Sequence, residues 1–158
     1  MQTTRHAFER QESSQTLAEG LAEYFDRNPG LIRGPRLSPE AQQFFECHDV
    51  VHVVYGCGTS MPDEAVVKLA SIFGTTAGLK VLNGYRLHES LDIYTKLPPI
   101  DTLRAMAYSV VLVPRTILRC SRQRRRWPWQ DFESYLPVPL AQLRVEFGIL
   151  VAHGASAQ

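Results

Sequence analysis

His48-Asp49-Val50-Val51-His52, followed by Glu64, sets four metal-competent side chains between positions 48 and 64. Residues four apart in an α-helix lie one above the other, so His48 and His52 would present two imidazoles to one point, with Asp49 beside them. Gly56-Cys57-Gly58 would break that helix, and a second helix starting near Ser60 would return Glu64 towards the same point. Two histidines plus carboxylates, with room for an open position, are the ligand set of a catalytic divalent-metal site. His48, His52 and Glu64 are the expected ligands, and Asp49 is a fourth ligand or an orienting neighbour. Zinc suits the set, and so does iron working with oxygen. The plainer alternative is two ordinary histidines, with Glu64 serving the dipole of its own helix.

The elements that must position these residues read as helices. Residues 16–27 carry Leu17, Leu21, Tyr24 and Phe25 at a helical period, and Asn28-Pro29-Gly30 stops them. A Pro/Gly-rich connector follows to about Leu37. Ser38-Pro39 then forms a cap with proline in the first turn, opening the helix of the His-Asp-x-x-His run. Ser60-Met61-Pro62-Asp63 approximates a capping box and puts Glu64 in the first turn. Residues 74–84 read as loop or short helix, 85–96 as helix, and 101–124 as the longest helix, kinked or broken at Pro114. Short helices at 132–135 and 140–150 would close the chain. Val50–Tyr55 and Val110–Val113 are β-branched enough to be strands in isolation. The expectation is all-α: a single-domain helical bundle over 16–152 with an irregular connector, preceded by a disordered segment 1–15.

The spacing resembles the signature of the coenzyme Q (ubiquinone) biosynthesis protein four family: His-Asp-x-x-His with Glu twelve residues beyond the second His. Gly56 falls where that family also carries Gly, and Glu64-Ala-Val-Val-Lys68 is similar to its Glu-x-Val-Val-Lys stretch. Leu143-Arg144-Val145-Glu146-Phe147-Gly148-Ile149 resembles its closing Leu-Arg-x-x-Leu-Gly-Ile, while Asp63 departs from the usual Gly before the Glu. The matched pieces cover about residues 45–70 and 119–150. The resemblance implies an all-helical, membrane-peripheral homodimer of quinone assembly. Such a protein acts on a polyprenylated hydroxybenzoate, or organises the enzymes that do. The reaction implied is oxidative removal of the ring carboxylate, leaving a hydroxyl, which would make the chain a metal-dependent oxidative decarboxylase (a lyase or oxidoreductase). Two other classes stay open. One is a non-catalytic scaffold binding a polyprenylated quinone precursor or other isoprenoid lipid. The other is a His-Asp metal phosphohydrolase, which needs further ligands that His6, His88 and His153 do not supply with a following Asp.

At 158 residues, 44% apolar and 21% charged, the chain has the size and composition of one globular domain. A net charge of +1 argues against nucleic-acid binding. That sum hides an asymmetry: no acid occurs between Asp101 and Asp131, where Arg104, Arg115, Arg119, Arg122, Arg124, Arg125 and Arg126 all fall. Residues 119–126 are either an anion contact, for a lipid headgroup or prenyl phosphate, or a solvated helix end. Trp127 and Trp129 beside them favour a membrane interface. Ala105–Val113 and Leu79–Leu82 could line a tunnel for an isoprenoid tail or be simply core. Cys47, Cys57 and Cys120 show no Cys-x-x-Cys spacing and fit a reducing compartment, with Cys57 a possible soft ligand. The N-terminus reads as neither secretory signal nor transit peptide, and no run approaches the ~18 apolar residues of a membrane span. The expected location is cytoplasmic, peripheral to the inner face of a membrane.

Overall fold

The computed structural model describes residues 6–31, 37–87 and 99–152. Six α-helices fall there: α1 (Leu17–Arg27), α2 (Pro39–Val54), α3 (Met61–Phe73), α4 (Val81–Leu87), α5 (Pro99–Ser121) and α6 (Leu140–Phe147). Among the described residues there is no strand, and the all-α class is what the chain adopts. The helix expected over 85–96 lies mostly outside the described residues; α4 ends at Leu87.

Local chemistry sets the helix starts. Thr16 and Glu19 form a reciprocal capping box, with Glu19 N donating to the Thr16 hydroxyl and Thr16 N to the Glu19 carboxylate. Ser38 accepts from Ala41 N and Ser60 from Asp63 N, each with a proline in the first turn. Gly56 (φ 62) makes the turn between α2 and α3, where a side chain would suffer left-handed strain and meet Val151.

α2 is the central element. Cys47 through Val54 are all buried; α1 packs on one side and α3 on the other, and α3 lies along α5. The second half of α2 is buried all round and has no solvent face to give it a clean period, which is why Val50–Tyr55 could also be read as a strand. Val110–Val113 is helical as well, within α5. Pro114 does not break α5. It is exposed, and Val110 one turn earlier is 74% exposed, so the carbonyl that loses its partner faces solvent.

Three further expectations change. Residues 6–15, read as disordered, are packed: Phe8 is fully buried, and Glu23 accepts from the Ala7 and Phe8 amides. One aromatic with a remote acid to cap its backbone holds a segment that is otherwise polar. Trp127 and Trp129 are buried, not presented to a membrane; Trp127 packs on Tyr135 and Phe147. Of the stretches suggested as tunnel or core, Leu112 and Val81 are buried while Val110, Val111, Leu79 and Leu82 are exposed.

Arg144 ties the C-terminal part of the chain to α2. It is 1% exposed, and its guanidinium donates to the carbonyls of Val54 (2.9 Å), Val53 (2.8 Å), Phe8 (2.6 Å) and Arg10. Val53 and Val54 are the last residues of α2, where carbonyls have no partner within the helix. Burial pushes the guanidinium down to about 10, so it stays charged at neutral pH.

Candidate metal centre

α2 and α3 deliver the three principal residues. His48 and His52 stand one turn apart on α2, with ring centroids 4.7 Å apart. Glu64 projects from the first turn of α3. His48 Nε2 lies 3.7 Å from one Glu64 carboxylate oxygen and His52 Nε2 lies 3.3 Å from the other. One ligand atom from each residue falls within 4.8 Å of the others, so His48, His52 and Glu64 form a group that could hold a metal ion. A tetrahedral ion with ligands at about 2.0–2.1 Å separates them by roughly 3.4 Å, close to both histidine–carboxylate distances.

Hydrogen bonding selects the donor atoms. His52 Nδ1 lies 2.9 Å from Gly58 O, and a carbonyl can only accept, so the hydrogen sits on Nδ1. That leaves Nε2 as the atom facing Glu64. Fixing a histidine tautomer through a backbone carbonyl is the usual support for a metal ligand. Both Nε2 atoms are buried and make no hydrogen bond. Two ring nitrogens and a carboxylate converge with no proton directed between them, which is the donor set a cation completes.

The surroundings favour deprotonated ligands. Burial, then the neighbouring His52 imidazole, pushes His48 down to about 3 against the pull of Glu64. Burial acts to raise Glu64, but proximity to His52, then His48 and Lys68, more than offsets it and holds the carboxylate below its usual value. Aromatic rings wall the site: Tyr24 stacks on His52 (5.2 Å), Phe44 on His48 (6.0 Å), and the Tyr85 edge meets His48 (5.8 Å). Lys68 Nζ sits 5.4 Å from the Tyr85 ring centre, one turn beyond Glu64. The His52 side chain is 0% exposed, His48 11% and Glu64 33%, so the centre opens past Glu64.

The structure does not bring every expected residue together. Asp49 is buried, yet outside the three-ligand group; one position from His48, it points around the helix rather than along the same face. It bears instead on Tyr24, whose hydroxyl is pushed up by burial and then by Asp49 and Glu64. Cys57 is also outside the group; its thiol donates to Tyr55 O and is pushed up by burial. His6 lies 3.7 Å from Glu23, and His88 and His153 fall outside the described residues. Arg119 is committed to the Val151 and Ala152 carbonyls, and Arg125 pairs with Glu146 over the Phe147 ring. Arg115, Arg122, Arg124 and Arg126 stay exposed.

His48 sets a pH dependence for the metal-free chain. Its folded value of about 3 lies below the ordinary 6.5, so between the two the unfolded chain binds a proton that the folded chain does not. The associated stability is complete above 6.5 and drains away as pH falls towards 3. Glu64, also lowered, adds to the loss in more acidic solution. At about pH 5 the His48 contribution alone is a loss of about 2 kcal/mol. Urea midpoints at about pH 7.5 and about pH 5 should differ accordingly; equal midpoints would contradict the buried neutral imidazole.

Comparison with known proteins adds one partial match. Two curated proteins named "Ubiquinone biosynthesis protein COQ4 homolog, mitochondrial", from Leishmania infantum and Leishmania major, are each 34% identical over 71 residues. Each alignment covers 39% of this chain and 38% of the relative, so the matched part spans well under half of the curated relatives' length. The relationship is distant and partial. No family model and no solved structure matches the chain.

Proposed function

We propose that this chain is a metal-binding protein of ubiquinone biosynthesis that takes part in exchanging the ring carboxylate of a polyprenylated hydroxybenzoate for a hydroxyl. The observation that carries the reading is the convergence of His48 and His52 with Glu64 from a second helix. The name borne by the two Leishmania relatives supports the pathway. His48, His52 and Glu64 are the proposed ligands, and Asp49 an outer residue that orients the α2 face. Zinc or iron fits two imidazoles and a carboxylate. When bound, such an ion supplies Lewis acidity and a template for a carboxylate and an adjacent oxygen.

The chain's own residues do the rest. Tyr24 and Phe44 keep water from the imidazoles, and the partly exposed flank of Glu64 admits the substrate headgroup. Lys68, one turn along α3, puts a positive charge beside the entry for an anionic ring substituent. The exchange removes carbon dioxide and oxidises the ring by two electrons, so a two-electron oxidant, dioxygen in this proposal, accepts those electrons and the protons released. No described helix is long and apolar enough to cross a membrane. Contact with a prenyl lipid would therefore be peripheral, with Arg115 and Arg122 flanking the exposed Val111 and Leu118 on α5 as the proposed contact. A homodimer belongs to the same proposal.

One feature favours a second reading. The ligands come from two neighbouring helices, as they would in a purely structural brace, and a non-catalytic prenyl-lipid scaffold has the same centre. Metal quantification on the purified protein, mass spectrometry of its extracted lipids and a turnover assay with a prenylated hydroxybenzoate separate the two. About one divalent ion per chain with carbon dioxide release supports the enzyme. A metal with bound lipid and no turnover supports the scaffold, and a metal-free preparation that takes up none on incubation overturns both.

A further inference from the structure

Tyr24 Oη, His48 Nε2 and His52 Nε2 are buried polar atoms without a hydrogen-bond partner. Their rings are in successive contact. The Tyr24 ring stacks on His52 at 5.2 Å and 28°, and the His52 ring lies 4.7 Å from that of His48. α1 is brought close enough for this at Gly20, one turn before Tyr24, where a Cβ would lie 2.8 Å from Val53 on α2. Tyr24 is fully buried, and an unpaired hydroxyl there has given up its bonds to water without replacing them. Buried donors are rarely left so. A phenylalanine would fill the same space without that cost.

The charges bearing on the hydroxyl are the carboxylates of Asp49 and Glu64, and it bonds to neither. An ion held by three protein ligands keeps at least one position for an exogenous oxygen. That oxygen is an acceptor of the kind the phenol lacks. We propose that the Tyr24 hydroxyl donates a hydrogen bond to the exogenous oxygen ligand, a water or a substrate carboxylate, of a metal held by His48, His52 and Glu64. Tyr24 is then a positioning residue for that ligand rather than a metal ligand. The inference rests on the metal-centre reading of the proposed function.

Cobalt(II) loading of wild type and Tyr24→Phe tests it, with visible absorption reporting the ion's surroundings. The two proteins should bind cobalt in equal amounts, and the variant should melt no lower. A merely structural hydroxyl would do the same, so the deciding measurement is titration of the cobalt forms with 4-hydroxybenzoate. The variant should bind it about tenfold more weakly. Equal affinities overturn the proposal. So does a wild-type cobalt spectrum that 4-hydroxybenzoate leaves unchanged, because the exogenous oxygen would then not reach the ion. A variant that no longer takes up cobalt overturns it too, placing Tyr24 in support of the ligands themselves. Failure of wild type to bind cobalt, read before any titration, refutes the metal centre and removes the basis of the inference.

Discussion

Glu64→Ala should lower divalent-metal affinity by more than roughly 100-fold and leave the helical content unchanged. Removing even an outer residue of a metal site typically costs 10–100-fold, and Glu64 supplies one of only three converging ligands. Its side chain is one-third exposed and caps nothing, since Ser60 holds the start of α3. Loss of metal with folding preserved is therefore the expected separation. His48→Ala should match it from the other helix, at some cost in packing because His48 is buried against Phe44. Metal per chain and far-ultraviolet circular dichroism check both variants. Full metal retention in the two of them would refute the ligand assignments.

The largest stability effect is expected at Arg144. Replacing it by Met keeps much of the apolar stem but strands the carbonyls of Val54 and Phe8 in the interior, while those of Val53 and Arg10 retain the Gly56 and Ser13 amides. Leaving two buried acceptors without a donor, and taking a charge-assisted bond from two more, should cost about 3–5 kcal/mol, a large part of the 5–15 kcal/mol typical of a domain. Lysine should recover little, because a single ammonium cannot reach acceptors spread over two segments as a planar fork does. The damage should also reach the metal, since Val53 directly follows His52. Urea denaturation measures it, and a loss below about 1 kcal/mol would mean that water replaces the guanidinium.

Tyr24 and Arg144 mark where a reading of one chain stops. Arg144 occupies a slot in the apolar series Leu140, Leu143, Arg144, Phe147, all buried in α6, and that period alone would have flagged a buried cation. What it bonds to could not be read, because its partners are backbone carbonyls that carry no side-chain signal. Tyr24 looked like one more apolar position on α1. Phe8 and the two tryptophans are buried for a related reason: a polar or arginine-rich neighbourhood in the chain does not determine what packs over it.

The residues by themselves determined the helical class, the caps at Ser38 and Ser60, and the pairing of His48 with His52, because each depends on neighbours within one or two turns. The tertiary structure decided the rest. It brought Glu64 rather than Asp49 to the imidazoles, fixed the His52 tautomer through Gly58, buried Trp127 and Trp129, and set Tyr24 against the centre. Helical periodicity fixes which side chains share a face but not how far the next helix is turned or shifted, and burial and hydrogen bonding across helices settle that.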